Sequence, residues 1–106
     1  MTFLVLVTDR PGMEDKREIA RPEHRAYLSG FGSKLLVSGA LMADDNKTIV
    51  GGASLIDVAA YEDAQAFAHN DPYALAGIRD RVDILRWRLR WWVGAFDPEG
   101  FFKAEI

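Results

Sequence analysis

The chain has no cysteine and only two histidines among its 106 residues. Without a thiol there can be no disulfide, no zinc-thiolate or iron-sulfur site and no cysteine nucleophile, and the absence fits a reducing, cytoplasmic setting. Basic charge is also short. Thirteen Lys and Arg against sixteen Asp and Glu leave a net of -3, which opposes phosphate backbones and anionic lipid at long range, so neither nucleic acid nor a membrane is an expected partner. The apolar run Met1-Thr2-Phe3-Leu4-Val5-Leu6-Val7 is too short to span a bilayer. It also lacks the basic flank and small-residue cleavage site of a secretion signal, and reads as a strand.

What is present is apolar: hydrophobic residues make up 49% of the chain, enough for one core at a length typical of a single domain. So short a domain buries only somewhat more than ~60% of its unfolded surface, which gives self-association a physical motive. Phe3 to Val7 is apolar at every position, as in a central strand covered on both faces. Asp9-Arg10-Pro11-Gly12 then opens a polar loop, and Pro22 is expected at the first turn of a helix, where its missing N–H does no harm. From there His24, Tyr27, Leu28 and Phe31 follow helical spacing along one stripe, which turns His24 inward. Gly30, Gly32 and Ser33 end that helix. Leu35 to Leu41 reads as a second strand, joined through Asp44-Asp45-Asn46-Lys47 to a third from Thr48 to Val58, where Gly51-Gly52 signals a bulge or a close backbone approach. A second helix over Tyr61 to His69 places Ala64, Phe67 and Ala68 on one face, and Asp71-Pro72 reads as N-cap and first-turn proline of a short helix closed by Gly77. Val82 to Val93 alternates Leu85, Trp87, Leu89, Trp91 and Val93 against Arg86, Arg88 and Arg90, as a half-buried strand does.

The order is β-α-β-β-α-β with an extra helical turn before the last strand, the pattern of an α+β, ferredoxin-like domain. Two helices on one side of four strands leave the other sheet face open. Because the first and third strands are apolar on both faces, the economical cover is a second sheet, and a homodimer formed sheet to sheet is expected. The apolar tail from Gly94 to Ile106, with Phe96, Phe101, Phe102 and Ile106, is expected to dock on its own domain or on the partner chain.

With no thiol, acid/base chemistry rests on histidine and carboxylate. His24, in the first turn of the expected helix, would feel the positive end of the macrodipole, which disfavours imidazolium and suits a general base. A core histidine bonded to backbone is the plain alternative. Asp71 is at least a helix cap, a role that does not exclude a histidine partner. His69 reads as a solvated residue at a helix end. For haem, only these two histidines could be axial ligands, and no spacing supports that role.

The segment Arg21-Pro22-Glu23-His24-Arg25-Ala26-Tyr27-Leu28, the strand ending Ser38-Gly39-Ala40-Leu41-Met42, and Ala64-Gln65-Ala66-Phe67 with Asn70-Asp71-Pro72-Tyr73 together resemble the YCII-related (YciI-like) family of the dimeric α+β barrel superfamily. The resemblance implies a YCII-related ferredoxin-like domain over residues 1-93, with residues 94-106 as the appended tail, and His24 and Asp71 as an active-site dyad. The family's clearest enzymatic member removes chloride from a chlorinated hydroxyhydroquinone without metal or organic cofactor. Lyase-like chemistry on a small polar ring is therefore implied, with no cofactor and no metal. In that reading His24 moves a proton while Asp71 fixes its tautomer. Arg21 and Arg17 would pair with a phenolate or carboxylate, solvated surface charge being the other role open to Arg17. Ser38 would donate a hydrogen bond into the pocket, a structural hydroxyl being the other role open to it, and Tyr73 would serve as a pocket wall. Two other classes stay open: a binding or regulatory domain that turns nothing over, and a single-stranded nucleic-acid surface on Arg86-Trp87-Arg88-Leu89-Arg90-Trp91-Trp92.

Overall fold

A computed structural model describes residues 1–99 of the chain. The elements run β1 (Thr2–Asp9), α1 (Glu14–Ser29), β2 (Leu35–Met42), β3 (Ile49–Asp57), α2 (Tyr61–Asn70), α3 (Pro72–Leu75), β4 (Arg79–Arg86), β5 (Trp91–Trp92) and β6 (Ala95–Phe96). The first four of these strands form one sheet in the order β2-β3-β1-β4, with every neighbouring pair antiparallel. This is the ferredoxin-like α+β arrangement, with α3 as the extra turn before β4.

Strand alternation divides the sheet. Phe3, Val5 and Val7 face the helices and form the core with Ile56, Ala64, Phe67 and Ala68, against which Tyr27, Leu28, Phe31, Val82 and Ile84 pack. Leu4 and Leu6 face the other way, where Val37, Leu41 and Leu85 are exposed. Burying the aromatic ring of Phe67 against those of Tyr27 and Phe31 ties α2 to α1 through specific edge and stacked contacts, not area alone.

Two expectations are corrected here. Pro22 does not start a helix; it lies inside α1, which begins at Glu14. An interior proline costs about 3 kcal/mol because it removes one backbone bond and crowds the preceding turn. Tertiary anchoring of the earlier turns offsets it: Arg17 is buried, its backbone N–H donates to Met13 O at 2.9 Å, and its side chain is ion-paired to Asp9. The second correction concerns Val82 to Val93, which is not one strand. Its pairing with β1 ends at Phe3↔Arg86, with one last bond from Trp87 N to Thr2 O at 3.0 Å, because β1 has no residues left to pair. The chain then turns on itself through Val93 and Gly94, at φ 49 and 80, and pairs Trp91–Trp92 with Ala95–Phe96. Two consecutive positive φ values suit a tight hairpin turn. With the strand broken, the expected segregation of arginines from aromatics does not extend past Arg86. The tail residues Phe101, Phe102 and Ile106 lie outside the described residues, and Phe96 is exposed.

The β2–β3 hairpin turn carries a pH-dependent element. Asp45 accepts from the backbone N–H groups of Lys47 and Thr48 and from the Thr48 hydroxyl, and these bonds to the ionised form hold its carboxyl down at about 2. A folded value below the unfolded one means the contribution is full above the unfolded value and is lost as pH falls toward 2. Amide-exchange protection of Lys47 and Thr48 is expected to decline through that window before the sheet unfolds.

Candidate active site

A cavity of about 400 Å³ opens between the helices and the sheet, walled by Val5 and Val7 of β1, Arg17, Arg21 and His24 of α1, Ser38 to Ala40 of β2, Gly51 to Ser54 of β3, and Asp71, Tyr73 and Arg79. Each candidate side chain has a local reason for its place. Arg17, Arg21, His24 and Leu28 stand at successive three- and four-residue steps of α1 and therefore share its inner face. Asp71 is the N-cap of α3, accepting from Tyr73 N at 2.9 Å with Pro72 in the first turn, so its carboxylate is held by the backbone before any partner arrives.

The structure brings His24 and Asp71 together: Nδ1 lies 2.7 Å from Asp71 Oδ1, with Asp71 buried and the His24 side chain 17% exposed. As Asp71 Oδ1 is an acceptor toward Tyr73 N, the histidine nitrogen is the donor and Nε2 is left unprotonated in the neutral ring. The Tyr73 ring stacks on the imidazole, centroids 3.9 Å apart and planes 13° apart. His24 lies two-thirds of the way along α1, so the expected macrodipole influence on it does not apply. Tyr27 is not a base here: burial, aided by the charge of Asp71, raises its hydroxyl above the ordinary 10.0, and the hydroxyl donates to Phe67 O at 3.0 Å.

Arg21 lines the cavity one turn before His24. Arg17 lines it too, but it is no solvated charge. Its Nε donates to Asp9 Oδ2 at 2.5 Å and its Nη2 to the Gly51 carbonyl at 3.3 Å. Ser38 Oγ reaches the cavity paired with Ser54 Oγ at 2.8 Å, and Tyr73 is a buried wall. His69 stands exposed in the last turn of α2, away from the cavity lining. Sequence reading missed Asp9 and Arg79. Asp9 sat in an ordinary turn cluster, and nothing local marks Arg79, whose Nη1 reaches Asp9 Oδ1 at 2.9 Å and whose Nη2 lies 3.6 Å from Asp71 Oδ2. Among the described residues, no three His, Asp or Glu side chains gather closely enough to hold a metal ion. No described helix is long and apolar enough to cross a membrane.

Fold and cavity thus define a ferredoxin-like α+β protein with an open cavity between helix and sheet, walled by apolar strand residues and by Arg17, Arg21, His24, Asp71 and Arg79. The chain belongs to the YCII-related domain family, which it matches over residues 1–88. It is 29% identical over 91 residues to Protein YciI of Escherichia coli O6:H1, a match covering 79% of this chain and 93% of that one. Protein YciI of Shigella flexneri matches to the same extent, 29% over 91 residues. Among solved structures, 5-chloro-2-hydroxyhydroquinone dehydrochlorinase (TftG) from Burkholderia phenoliruptrix AC1100, in complex with 2,5-dihydroxybenzoquinone, superimposes with a TM-score of 0.76 at 28% identity, covering 84% of this chain and 95% of its own.

Proposed function

We propose that this chain is a cytoplasmic small-molecule enzyme that uses His24 and Asp71 for acid/base chemistry on a small, ionisable polar ring, with no metal or organic cofactor. The observation that carries this reading is the 2.7 Å approach of His24 Nδ1 to buried Asp71 at the wall of the cavity. Asp71 holds the tautomer, and Nε2 is the nitrogen able to take a proton from a ligand. A volume of about 400 Å³ sits at the small end of ligand sites and suits a single substituted ring. Arg21 offers a cation to a phenolate or carboxylate, and Ser38 a hydroxyl. For a dehydrochlorination, one ring hydroxyl proton first moves to the chlorine-bearing carbon, giving the keto tautomer with a new C–H bond and a ring carbonyl. Nε2 then takes the proton of a second ring hydroxyl; its O–H pair forms the second carbonyl, the adjacent ring π pair shifts to the chlorine-bearing carbon, and chloride leaves with the C–Cl bonding pair. The net change is loss of HCl, with no electrons exchanged with a third partner.

The test uses the two compounds named for the structural relative. Saturable binding of 2,5-dihydroxybenzoquinone and chloride release from 5-chloro-2-hydroxyhydroquinone are expected. Binding with neither chloride release from that compound nor turnover of any related chlorinated or hydroxylated ring favours the rival reading of a non-catalytic binding domain. Failure to bind either compound removes the ring-ligand reading.

The same reading includes a homodimer formed sheet to sheet. It is supported by the exposure of Val37, Leu41 and Leu85 on the helix-free face, since apolar surface gathered on one side of a sheet is what an interface covers. Val37→Asp would put a desolvated charge into that interface. Sedimentation is expected to show a dimer for the wild type and a folded monomer for the variant; a wild-type monomer at micromolar concentration sinks the idea.

A further inference from the structure

The arginines around the cavity are not equally available to a ligand. Asp9, at the end of β1, has a side chain only 4% exposed and takes Arg17 Nε on one oxygen and Arg79 Nη1 on the other, at 2.5 and 2.9 Å. Arg17 goes on to the Gly51 carbonyl, and Arg79 to the second oxygen of Asp71 at 3.6 Å. Both guanidinium carbons lie over the Tyr73 ring, at 4.7 and 5.2 Å from its centroid, and Tyr73 is the ring stacked on His24. The run is continuous: carboxylate, paired guanidiniums, phenol ring, imidazole. Two arginine charges are matched by those of Asp9 and Asp71, whereas Arg21 has no carboxylate partner among the described residues.

We infer that Asp9 is a positioning residue of this site: by clamping Arg17 and Arg79 over Tyr73 it fixes the plane of the His24 ring, and it leaves Arg21 as the cation that meets an anionic ligand. Arg17 is held through two hydrogen bonds and Arg79 through one with an ion-pair contact to Asp71, so neither planar guanidinium rotates freely and their contact surface acts as a rigid plate. A cation over the face of a tyrosine is attracted to the ring as well as packed on it. Asp9 lies outside the cavity lining and acts only through these groups. The inference deepens the functional reading above, because it presupposes a ligand at this cavity, but its structural half does not depend on any reaction.

The test is Asp9→Asn, nearly isosteric and one negative charge fewer. In the unligated, folded protein the stacked Tyr73 ring is expected to displace the His24 ring-proton signals upfield in NMR spectra, and the variant is expected to lose that displacement. Titration with 2,5-dihydroxybenzoquinone, whose hydroxyls are vinylogous acids and hence ionised near neutral pH, comes second. Its affinity is expected to fall about tenfold, the scale of losing an outer partner that orients a site, although the added positive charge alone would strengthen an anion's binding. A folded variant that keeps the ring displacement overturns the inference, as a merely structural Asp9 would. Tighter binding overturns it too, since Arg17 and Arg79 would then be ligand receptors that Asp9 restrains. If the probe fails to bind the wild type, the functional reading falls while the ring signals still decide for Asp9. Should Asp9→Asn not fold, the wild-type guanidinium signals decide: individually resolved, slowly rotating Nη protons for Arg17 and Arg79 with averaged ones for Arg21 support the clamp, and averaged signals from all three overturn it.

Discussion

Replacing His24 with alanine is expected to lower turnover of an accepted substrate by about 10²- to 10⁴-fold, the usual worth of a positioned general acid or base, with folding retained. Retention follows from position: the side chain borders the cavity and is 17% exposed, so its removal widens an open space instead of hollowing the core around Phe3 and Ile56. The matching change Asp71→Asn separates the two roles of that carboxylate. Asparagine caps a helix about as well as aspartate, so α3 should survive. A neutral amide cannot stabilise the imidazolium formed when His24 takes a proton, and its NH2 group would confront the Arg79 guanidinium that lies 3.6 Å from Asp71 Oδ2. Turnover is therefore expected to drop in a protein that still folds, with a lower melting temperature from the lost Arg79 pairing. Unchanged turnover in a folded His24→Ala protein would remove the dyad from the chemistry and leave it a purely structural pair.

Gly51→Ala is expected to destabilise the fold by more than about 4 kcal/mol, in the tail of single-substitution effects reserved for specific structural failures. A Cβ on Gly51 would stand 2.0 Å from the Val7 carbonyl oxygen and 3.1 Å from Thr8 Cα, both backbone atoms of the central strand that no rotamer change can move. The chain comes this close because β3 bulges there: Leu41 pairs with Gly51 but Met42 with Ile49, which leaves Val50 unmatched. The same close approach aims the Gly51 carbonyl at Arg17, so any shift that relieved the clash would also disturb the site. For a domain of this size, with ~5–15 kcal/mol of total stability, such a loss should appear in urea denaturation as a large fall in midpoint, or as failure to accumulate folded protein. A midpoint near that of the wild type would mean that β1 and β3 can separate cheaply.

Much of the site was legible in the sequence, but for uneven reasons. Asp71-Pro72 announced a cap through local chemistry alone, and the structure shows that cap. The inward turn of His24 followed from the spacing of Tyr27, Leu28 and Phe31, which survives even though the helix begins at Glu14 and not at Pro22. Periodicity tells which face is buried without saying where the first turn lies. The error at Pro22 came from reading a propensity that an ion pair elsewhere outweighs, and the error past Arg86 came from an alternating pattern whose partner strand had run out. Solvated surface charge stayed open as a role for Arg17 because its partner Asp9 looked like any turn aspartate; the structure buries the pair.

By itself, then, the sequence determined the element order as far as β4, the buried faces of those strands and helices, the cap at Asp71 and the family, since all of these depend on residues near one another or on their pattern along the chain. Only the tertiary structure decided that His24 meets Asp71 across forty-seven positions at 2.7 Å, that Asp9 gathers Arg17 and Arg79, and that Gly51 lies against Val7. Those contacts arise where separate elements converge on one buried volume, and whether a charge there finds a partner depends on distances that no local pattern encodes.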